Sequence, residues 1–218
     1  MRINNTKRLH VFLTGLSIVL APSAVAQKWE IGGAAGGSFY TSQSVQSPSG
    51  NADASIATGL AASAWLGNNS GNLLGGEFRY DYTGGNLTLT GNGGPASFAS
   101  RSQAFHYDFL IHFSPRASRV RPYVAFGGGA KIYSGTGAEQ AYQPLEQIAL
   151  LTKTSQTTAL ISAGAGIKFN LSDHLQLRVE VHDYLTPFPK NVIAPAQGAH
   201  AGGWLQQFVP TFGIAYVF

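Results

Sequence analysis

The stretch "FVPTFGIAYVF" (208–218) places Phe208, Phe212, Ile214, Tyr216 and Phe218 on alternate positions. Side chains two apart on a β-strand share a face, so these residues form a row of large apolar groups. The opposite row is Val209, Thr211, Gly213, Ala215 and Val217. One face of such a strand needs an apolar partner, and the remaining chain must decide whether that partner is a protein core or a lipid bilayer.

The same alternation, rather than a helical period, runs through residues 28–218 in segments broken by Gly, Asn, Ser and Pro clusters. It predicts eight strands, at 28–40, 54–66, 73–83, 101–113, 120–133, 156–169, 174–185 and 207–218. Their connections alternate in length. Residues 41–53, 84–100, 134–155 and 186–206 are long and rich in Gly, Ser, Pro or Gln, whereas 67–72, 114–119 and 170–173 are short. Long loops at one end and tight turns at the other are the layout of an all-β, eight-stranded antiparallel up-and-down transmembrane β-barrel. The long loops are then extracellular, and the short turns and both termini periplasmic.

Composition agrees. The 218 residues are 44% hydrophobic and only 11% charged, with 27 Gly, 13 Phe, 9 Tyr and no Cys, which is poor in charge for a water-surfaced enzyme. At the N-terminus, Arg2, Lys7 and Arg8 precede an apolar run from Val11 to Ala21 and then Ala24-Val25-Ala26. This reads as a secretory signal peptide, residues 1–26, with an A-x-A site at Ala24 and Ala26. The run is shorter than the about 20 residues a membrane helix needs. Residues 27–218 then form one exported barrel domain in the cell outer membrane. Lacking Cys, the chain has neither a lipidation site nor a disulfide framework. Of 14 Lys and Arg, the three in the leader leave 11 against 10 Asp and Glu, so the net charge carries no nucleic-acid signal.

Three segments say which face is which. In 175–185, Leu175, Leu177, Val179 and Val181 alternate with Gln176, Arg178, Glu180 and His182. In 105–113, Phe105, Tyr107, Phe109, Ile111 and Phe113 alternate with His106, Asp108, Leu110 and His112. In 77–82, Phe78, Tyr80 and Tyr82 alternate with Glu77, Arg79 and Asp81. The ionisable face also carries Gly32, Ala34, Gly36, Gly127, Gly129, Gly164 and Gly166, and small residues suit the crowded interior of a narrow barrel. The bulky face therefore points outward, since turning a strand by one residue would put Arg178 in lipid at about 2–4 kcal/mol. Inside, Glu30, Glu77, Asp81, Asp108 and Glu180 are expected to pair with Arg79, Lys131, Lys168 and Arg178, beside His106, in a plugged, salt-bridged lumen. Tyr82, Tyr107, Tyr184 and Tyr216 are expected in aromatic girdles.

The final strand also fits polar-x-Gly-x-x-apolar-x-apolar, as Thr211-x-Gly213-x-x-Tyr216-x-Phe218. This resembles the C-terminal signal by which outer-membrane barrels engage the barrel assembly machinery. The resemblance implies that Thr211, Gly213, Tyr216 and Phe218, above all Phe218, guide insertion. With "RPYVAFGGGAKIY" (121–133), the whole of 27–218 resembles the OmpA-like and OmpX-like superfamily of eight-stranded outer-membrane barrels. That identifies a fold and an assembly route, not a ligand.

Catalytic readings are weaker. His112-Phe-Ser114 is similar to the His-x-Ser spacing of outer-membrane lipid A deacylases, but Pro115 follows and Ser114 falls at a periplasmic turn. His182-Asp183 lacks the second acidic pair of outer-membrane proteases, and reads as an interior histidine beside a loop end. His106, His112 and His182 lie on separate strands at no diagnostic metal spacing, and Gly127-Gly128-Gly129 has no phosphate-loop context. Neither metal nor cofactor is implied. Arg116, Arg119 and Arg121 cluster near a periplasmic turn, within reach of phosphate headgroups. Residues 143–151, "QPLEQIALL", have helical spacing and are expected to fold over the barrel mouth.

The function expected is that of a non-enzymatic integral outer-membrane barrel with a structural, membrane-integrity or surface-interaction role through its extracellular loops. Alternatives are a lipid A-modifying enzyme using His112 and Ser114, a small-solute channel, and a soluble secreted ligand-binding barrel. Expected partners are outer-membrane lipid and lipopolysaccharide, the assembly machinery during insertion, and an extracellular surface partner. The chain is expected to be a monomer.

Overall fold

The computed structural model describes residues 29–69, 71–138 and 142–218; the expected signal peptide, with Ala24 and Ala26, lies outside these residues. In chain order the strands are β1 (Trp29–Tyr40), β2 (Gln43–Ser47), β3 (Gly50–Ile56), β4 (Gly59–Asn68), β5 (Leu74–Gly91), β6 (Gly94–His112), β7 (Val120–Gly135), β8 (Ala149–Leu151), β9 (Ser155–Asn170), β10 (Leu175–Pro187), β11 (Ile193–Pro195), β12 (His200–Ala201) and β13 (Trp204–Val217). Eight of them close a ring in the order β1-β4-β5-β6-β7-β9-β10-β13, every pair antiparallel. The seam joins β1 to β13 from Glu30↔Val217 to Tyr40↔Gln207. Closure leaves no edge, the one arrangement besides a helix that satisfies the backbone in hydrocarbon.

The seam ladder skips Gly37 and Ser38, which stand opposite Val209 and Pro210. Pro210 has no N–H to give, so a break there costs the ladder little.

Parity follows the pleat. Ile31, Leu66, Phe78, Phe105, Phe109, Phe126, Ile161, Val179, Phe212 and Ile214 all face outward and are exposed. On β6 this apolar row extends from Phe105 to Ile111 and on to Phe113 beyond the strand end. At roughly 3.3 Å per residue that is about 26 Å of strand; allowing for tilt, it approaches the about 25 Å apolar band of an outer-membrane barrel.

Two expectations about strand limits change. Residues 84–100 are not a loop: β5 and β6 run on as a hairpin, paired to Gly91↔Gly94, with Gly94 at φ 97° in the region open to glycine. The expected strand 54–66 divides, its first residues going to β3 and the barrel strand starting only at Gly59. The expected loop 41–53 likewise forms β2 and β3. The first error has a physical cause. Above Thr83 the alternation persists but with its polarity reversed. Leu87 and Leu89 turn inward, with Ala96 and Phe98 opposite, while Asn86, Thr88, Thr90, Ser97 and Ala99 turn outward. Sequence reading took the Gly and Asn clusters at 84–94 for a loop and missed a continuous strand that crosses from lipid into water.

The extended hairpin supports a folded cap. β3 pairs with β5 from Ala52↔Gly91 to Ile56↔Leu87, β2 pairs with β3, and β12 with β2; β8 and β11 form a separate two-stranded sheet. Between them lies a core of Val45, Ala54, Leu87, Leu89, Phe98, Leu145, Ile148, Leu151, Phe188, Val192 and Ile193. Tyr133 and Leu205, from barrel strands β7 and β13, belong to the same core, so the cap sits directly on the barrel mouth. Residues 143–151 do fold over it. Leu145 and Ile148 are buried, and the Gln143 amide donates to the Leu151 carbonyl (2.8 Å) and accepts from the Leu151 N–H (2.9 Å).

The girdle assignment holds in direction for Tyr82, Tyr107 and Tyr216, which face out, although Tyr107 pairs with Phe78 in the middle of the band. Tyr184 is the correction. It sits at an inward position on β10, is buried, and donates to Asp81 Oδ2 at 2.9 Å.

The reversal of polarity makes a prediction. Phe78→Arg, at mid-band, is expected to lower the unfolding free energy in lipid vesicles by about 2–4 kcal/mol. Thr88→Arg, on the same face above the switch, is expected to change it by less than about 0.5 kcal/mol. Denaturant titration of both variants checks this.

Candidate functional site

The inward positions of β1, β4, β5, β6, β7, β9 and β10 converge on the barrel axis, and their ionisable groups consume one another. Arg79 reaches three carboxylates, Asp81 (3.1 Å), Glu77 (3.4 Å) and Glu180 (2.6 Å). Arg178 grips both oxygens of Glu77 (2.7 and 2.9 Å) in a fork-to-fork pair and meets Glu180 at 2.6 Å. Lys168 spans both oxygens of Glu30 (2.7 and 2.9 Å). His106 places one ring nitrogen on Asp81 (2.9 Å) and the other on Asp108 (3.0 Å). All these groups are almost completely buried, where an unpaired charge would be prohibitively costly.

Lys131 departs from the expected pattern. Among the described residues it has no carboxylate within ion-pair distance; it donates to Gln207 Oε1 and lies 5.0–5.5 Å from the ring centres of Tyr40, Tyr133 and Tyr184. The register explains this. Lys131 pairs with Ala104 and Thr158, a level above the carboxylates, where its inward neighbours are tyrosines. Rings can stabilise a buried ammonium through their negative faces.

Several groups that complete this network were not singled out in the sequence. Both guanidinium groups lie over the Trp65 ring, Arg79 at 5.4 Å and Arg178 at 4.7 Å. Tyr123 donates to Glu180 (2.5 Å) and receives the Arg178 Nε–H (2.6 Å), while Ser63 donates to Asp81. Asn69 donates to Glu30 (2.9 Å) and receives Arg121 (3.0 Å). Parity alone would have found most of them, since each occupies an inward position or follows a strand end; nothing local marks which neighbour it meets.

The C-terminal motif divides between the two faces. Thr211 donates to Glu180 Oε1 at 3.1 Å. At Gly213 a Cβ would stand 2.9 Å from the Trp65 ring, 2.8 Å from Ala34 Cβ and 2.8 Å from the Gly33 carbonyl, so only glycine leaves room for the indole. Gly32, across the ring, is under the same constraint. Tyr216 and Phe218 point outward and are about half exposed.

The alternative chemistry finds little geometry. His112 turns inward with Nδ1 on the Leu73 carbonyl (3.2 Å), whereas Ser114 donates to the Val120 carbonyl (2.9 Å); neither addresses the other. His106 and His182 come within 6.2 Å ring to ring, but His112 lies elsewhere, against Tyr123. Glu77, Asp108 and His182 bring one ligand atom each within 4.8 Å. Arg178 already holds both Glu77 oxygens, and Asp108 is shared between His106 and Ser162, so these carboxylates are already engaged by side chains. Ser162 lies 3.5 Å from His182, itself 3.4 Å from Glu180. That order resembles a nucleophile, base and acid, yet all three groups are buried. His182 faces the interior and Asp183 the outside, where Gln206 donates to it (2.7 Å). The three arginines do not form one surface cluster: Arg121 is buried and donates to Asn69 and to the Asn72 carbonyl (2.9 Å).

Four variants are expected to separate packing from charge. Arg178→Met, which strands Glu77 and Glu180, should cost about 3–5 kcal/mol. Thr211→Val should cost about 1.5–3 kcal/mol through the lost bond to a carboxylate. Gly213→Val should also destabilise, whereas the outward Tyr216→Leu should not. Unfolding of refolded protein in vesicles, where no assembly machinery is present, reads these effects as properties of the folded barrel.

A family model described as outer membrane protein beta-barrel domain matches residues 11–202. No curated protein matches the sequence. Among solved structures, OprG from Pseudomonas aeruginosa is similar at a TM-score of 0.59 and 12% identity, covering 88% of this chain and 97% of that one. Neisserial surface protein A is similar at a TM-score of 0.55 and 11% identity, covering 87% and 97%. At such identities the likeness is one of fold.

Proposed function

The chain belongs to the outer membrane protein beta-barrel domain family, and on that footing we propose that it is a non-enzymatic, non-conducting barrel whose working part is its extracellular cap. One observation carries this reading. An apolar core built from every long connection closes directly over a lumen whose buried carboxylates and guanidinium groups hold one another. A channel needs polar walls lined by water, and a hydrolase needs a nucleophile that substrate can approach. The interior offers paired charges in contact with rings and glycines, while the extracellular side offers a firm, mostly polar exterior.

The role is structural or surface-interacting. Partners are the lipid and lipopolysaccharide around the barrel, the assembly machinery during insertion, which the C-terminal strand resembles a signal for, and a surface partner at the cap. The reading takes the protein as a monomer whose barrel is complete within one chain.

Purified protein in planar bilayers is expected to give no stable single-channel steps, and lipid A mass spectra are expected to be the same for wild type and Ser114→Ala. Sustained conductance would refute the sealed interior; a lipid A mass change lost in Ser114→Ala would restore the enzyme reading.

A further inference from the structure

The β5–β6 hairpin presents one continuous outward face with two chemistries. Reading up its register, Phe78↔Tyr107, Tyr80↔Phe105 and Tyr82↔Gln103 are followed by Gly84↔Arg101, Asn86↔Ala99, Thr88↔Ser97 and Thr90↔Pro95. The aromatic rows meet hydrocarbon. The rows above them mix the hydroxyl and amide groups of Asn86, Thr88, Ser97 and Thr90 with Gly84, Ala99 and Pro95, and β3 widens them with Asn51, Ser55 and the carboxylate of Asp53. Arg101 stands at the step between the two, one row above Tyr82. Its side chain is exposed and, among the described residues, makes no hydrogen bond or ion pair.

At the same height the wall is indented. The last β4 pair on β5 is Ala61↔Thr83 and the first β3 pair is Ile56↔Leu87, so Gly84 and Gly85 lack a ladder partner on that side. A small void lies within the wall there, bounded on its inner side by Tyr40, Thr83 and Ser102 and on the outer face by Gly84 and Arg101. A Cβ at Gly84 would meet nothing within 4 Å, and the space lies beside the guanidinium.

We propose that this face, from Arg101 and the open space at Gly84 to the Thr88–Ser97 row, binds the phosphorylated saccharide headgroup of an outer-leaflet glycolipid. The occupant follows from position and chemistry. The face continues the lipid-facing band without interruption, on the end opposite the termini, so headgroups lie against it. A free guanidinium at the hydrocarbon boundary suits a phosphate, which it can hold through two parallel N–H donors. The hydroxyl and amide groups of Asn86, Thr88 and Ser97 above it suit sugar hydroxyls, and the one carboxylate on this face, Asp53, stands at the Thr90 row, three rows above Arg101. A protein partner would call for an apolar, aromatic centre, which the rows above Arg101 lack. The inference rests on the reading of the cap as the working part, and gives it a ligand class.

The test uses the folded full-length protein in detergent micelles, each sample checked by the heat-dependent shift of its gel mobility. It is titrated with deep-rough lipopolysaccharide, the same glycolipid after dephosphorylation, and phosphatidylglycerol. Wild type is expected to bind the phosphorylated glycolipid at least about tenfold more tightly than phosphatidylglycerol. Arg101→Gln should weaken that binding by about tenfold and leave the dephosphorylated form unaffected. A triple variant, Asn86→Ala, Thr88→Ala and Ser97→Ala, should weaken both glycolipids and not phosphatidylglycerol. Equal affinity for phosphatidylglycerol, or unchanged glycolipid binding in both variants, overturns the proposal. Conductance through the lumen would undo the sealed-barrel reading and leave these titrations standing.

Discussion

Two guanidinium groups, Arg79 and Arg178, both over one indole, are the arrangement on which the lower barrel depends. Between them they engage Glu77, Asp81 and Glu180, carboxylates carried by β5 and β10 on different sides of the ring. A buried carboxylate without such a partner would cost several kcal/mol, so the strands cannot slip in register without undoing the pairs. The pairs in turn need space. Trp65 lies flat against Gly32 and Gly213, and the inward glycines of β1 and β13 therefore belong to the same device as the charges. Once charged and small residues are committed to the interior, the pleat commits the aromatic and aliphatic ones to the outside.

A single strand pair shows how far that logic extends. Below Thr83, β5 is ionic inside and aromatic outside; above it, the same strand has Leu87 and Leu89 inside with Asn86, Thr88 and Thr90 outside. The backbone geometry does not change. What changes is the solvent beyond the wall, from hydrocarbon to water, and each half follows the rule of its own surroundings: a polar core within oil, an apolar core within water. The cap is thus built like a small soluble domain, on strands that the barrel already holds in place. Loops with such a core are firm connections, which bears on how they can act as a surface.

Much of this was legible because a period of two is unambiguous when its faces differ strongly. The eight ring strands, their direction and the inward set Glu30, Glu77, Arg79, Asp81, His106, Asp108, Lys131, Lys168, Arg178 and Glu180 all follow from alternation, and the structure buries every one of them. Partners were not legible, because parity gives the face and not the height. Lys131 carries the right sign and faces the right way, yet stands among tyrosines above the carboxylates. Tyr184 looked like a girdle residue because tyrosine suits an interface, but its parity, shared with Arg178, Glu180 and His182, already pointed inward. Residues 84–100 were lost for a different reason: glycine and asparagine clusters resemble loops, and a pattern whose polarity reverses looks like one that ends.

The terminal strand gathers these threads. The motif Thr211-x-Gly213-x-x-Tyr216-x-Phe218 reads as one signal in sequence, but the pleat splits it. Thr211 and Gly213 face the lumen, one bonded to Glu180 and the other leaving room for Trp65. Their identities are accounted for by the finished barrel. Tyr216 and Phe218 face outward, Tyr216 stacked on His174 at 5.5 Å. Phe218 contributes through its backbone, exchanging hydrogen bonds with Trp29 (2.9 and 3.0 Å) at the start of the seam. Any residue can supply that backbone pair, so the aromatic side chains of Tyr216 and Phe218 are the part of the motif that the folded interior does not require. Both rings lie on the outer face, stacked on each other at 6.3 Å, where the proposed partners of that face, lipid and the assembly machinery, would meet them.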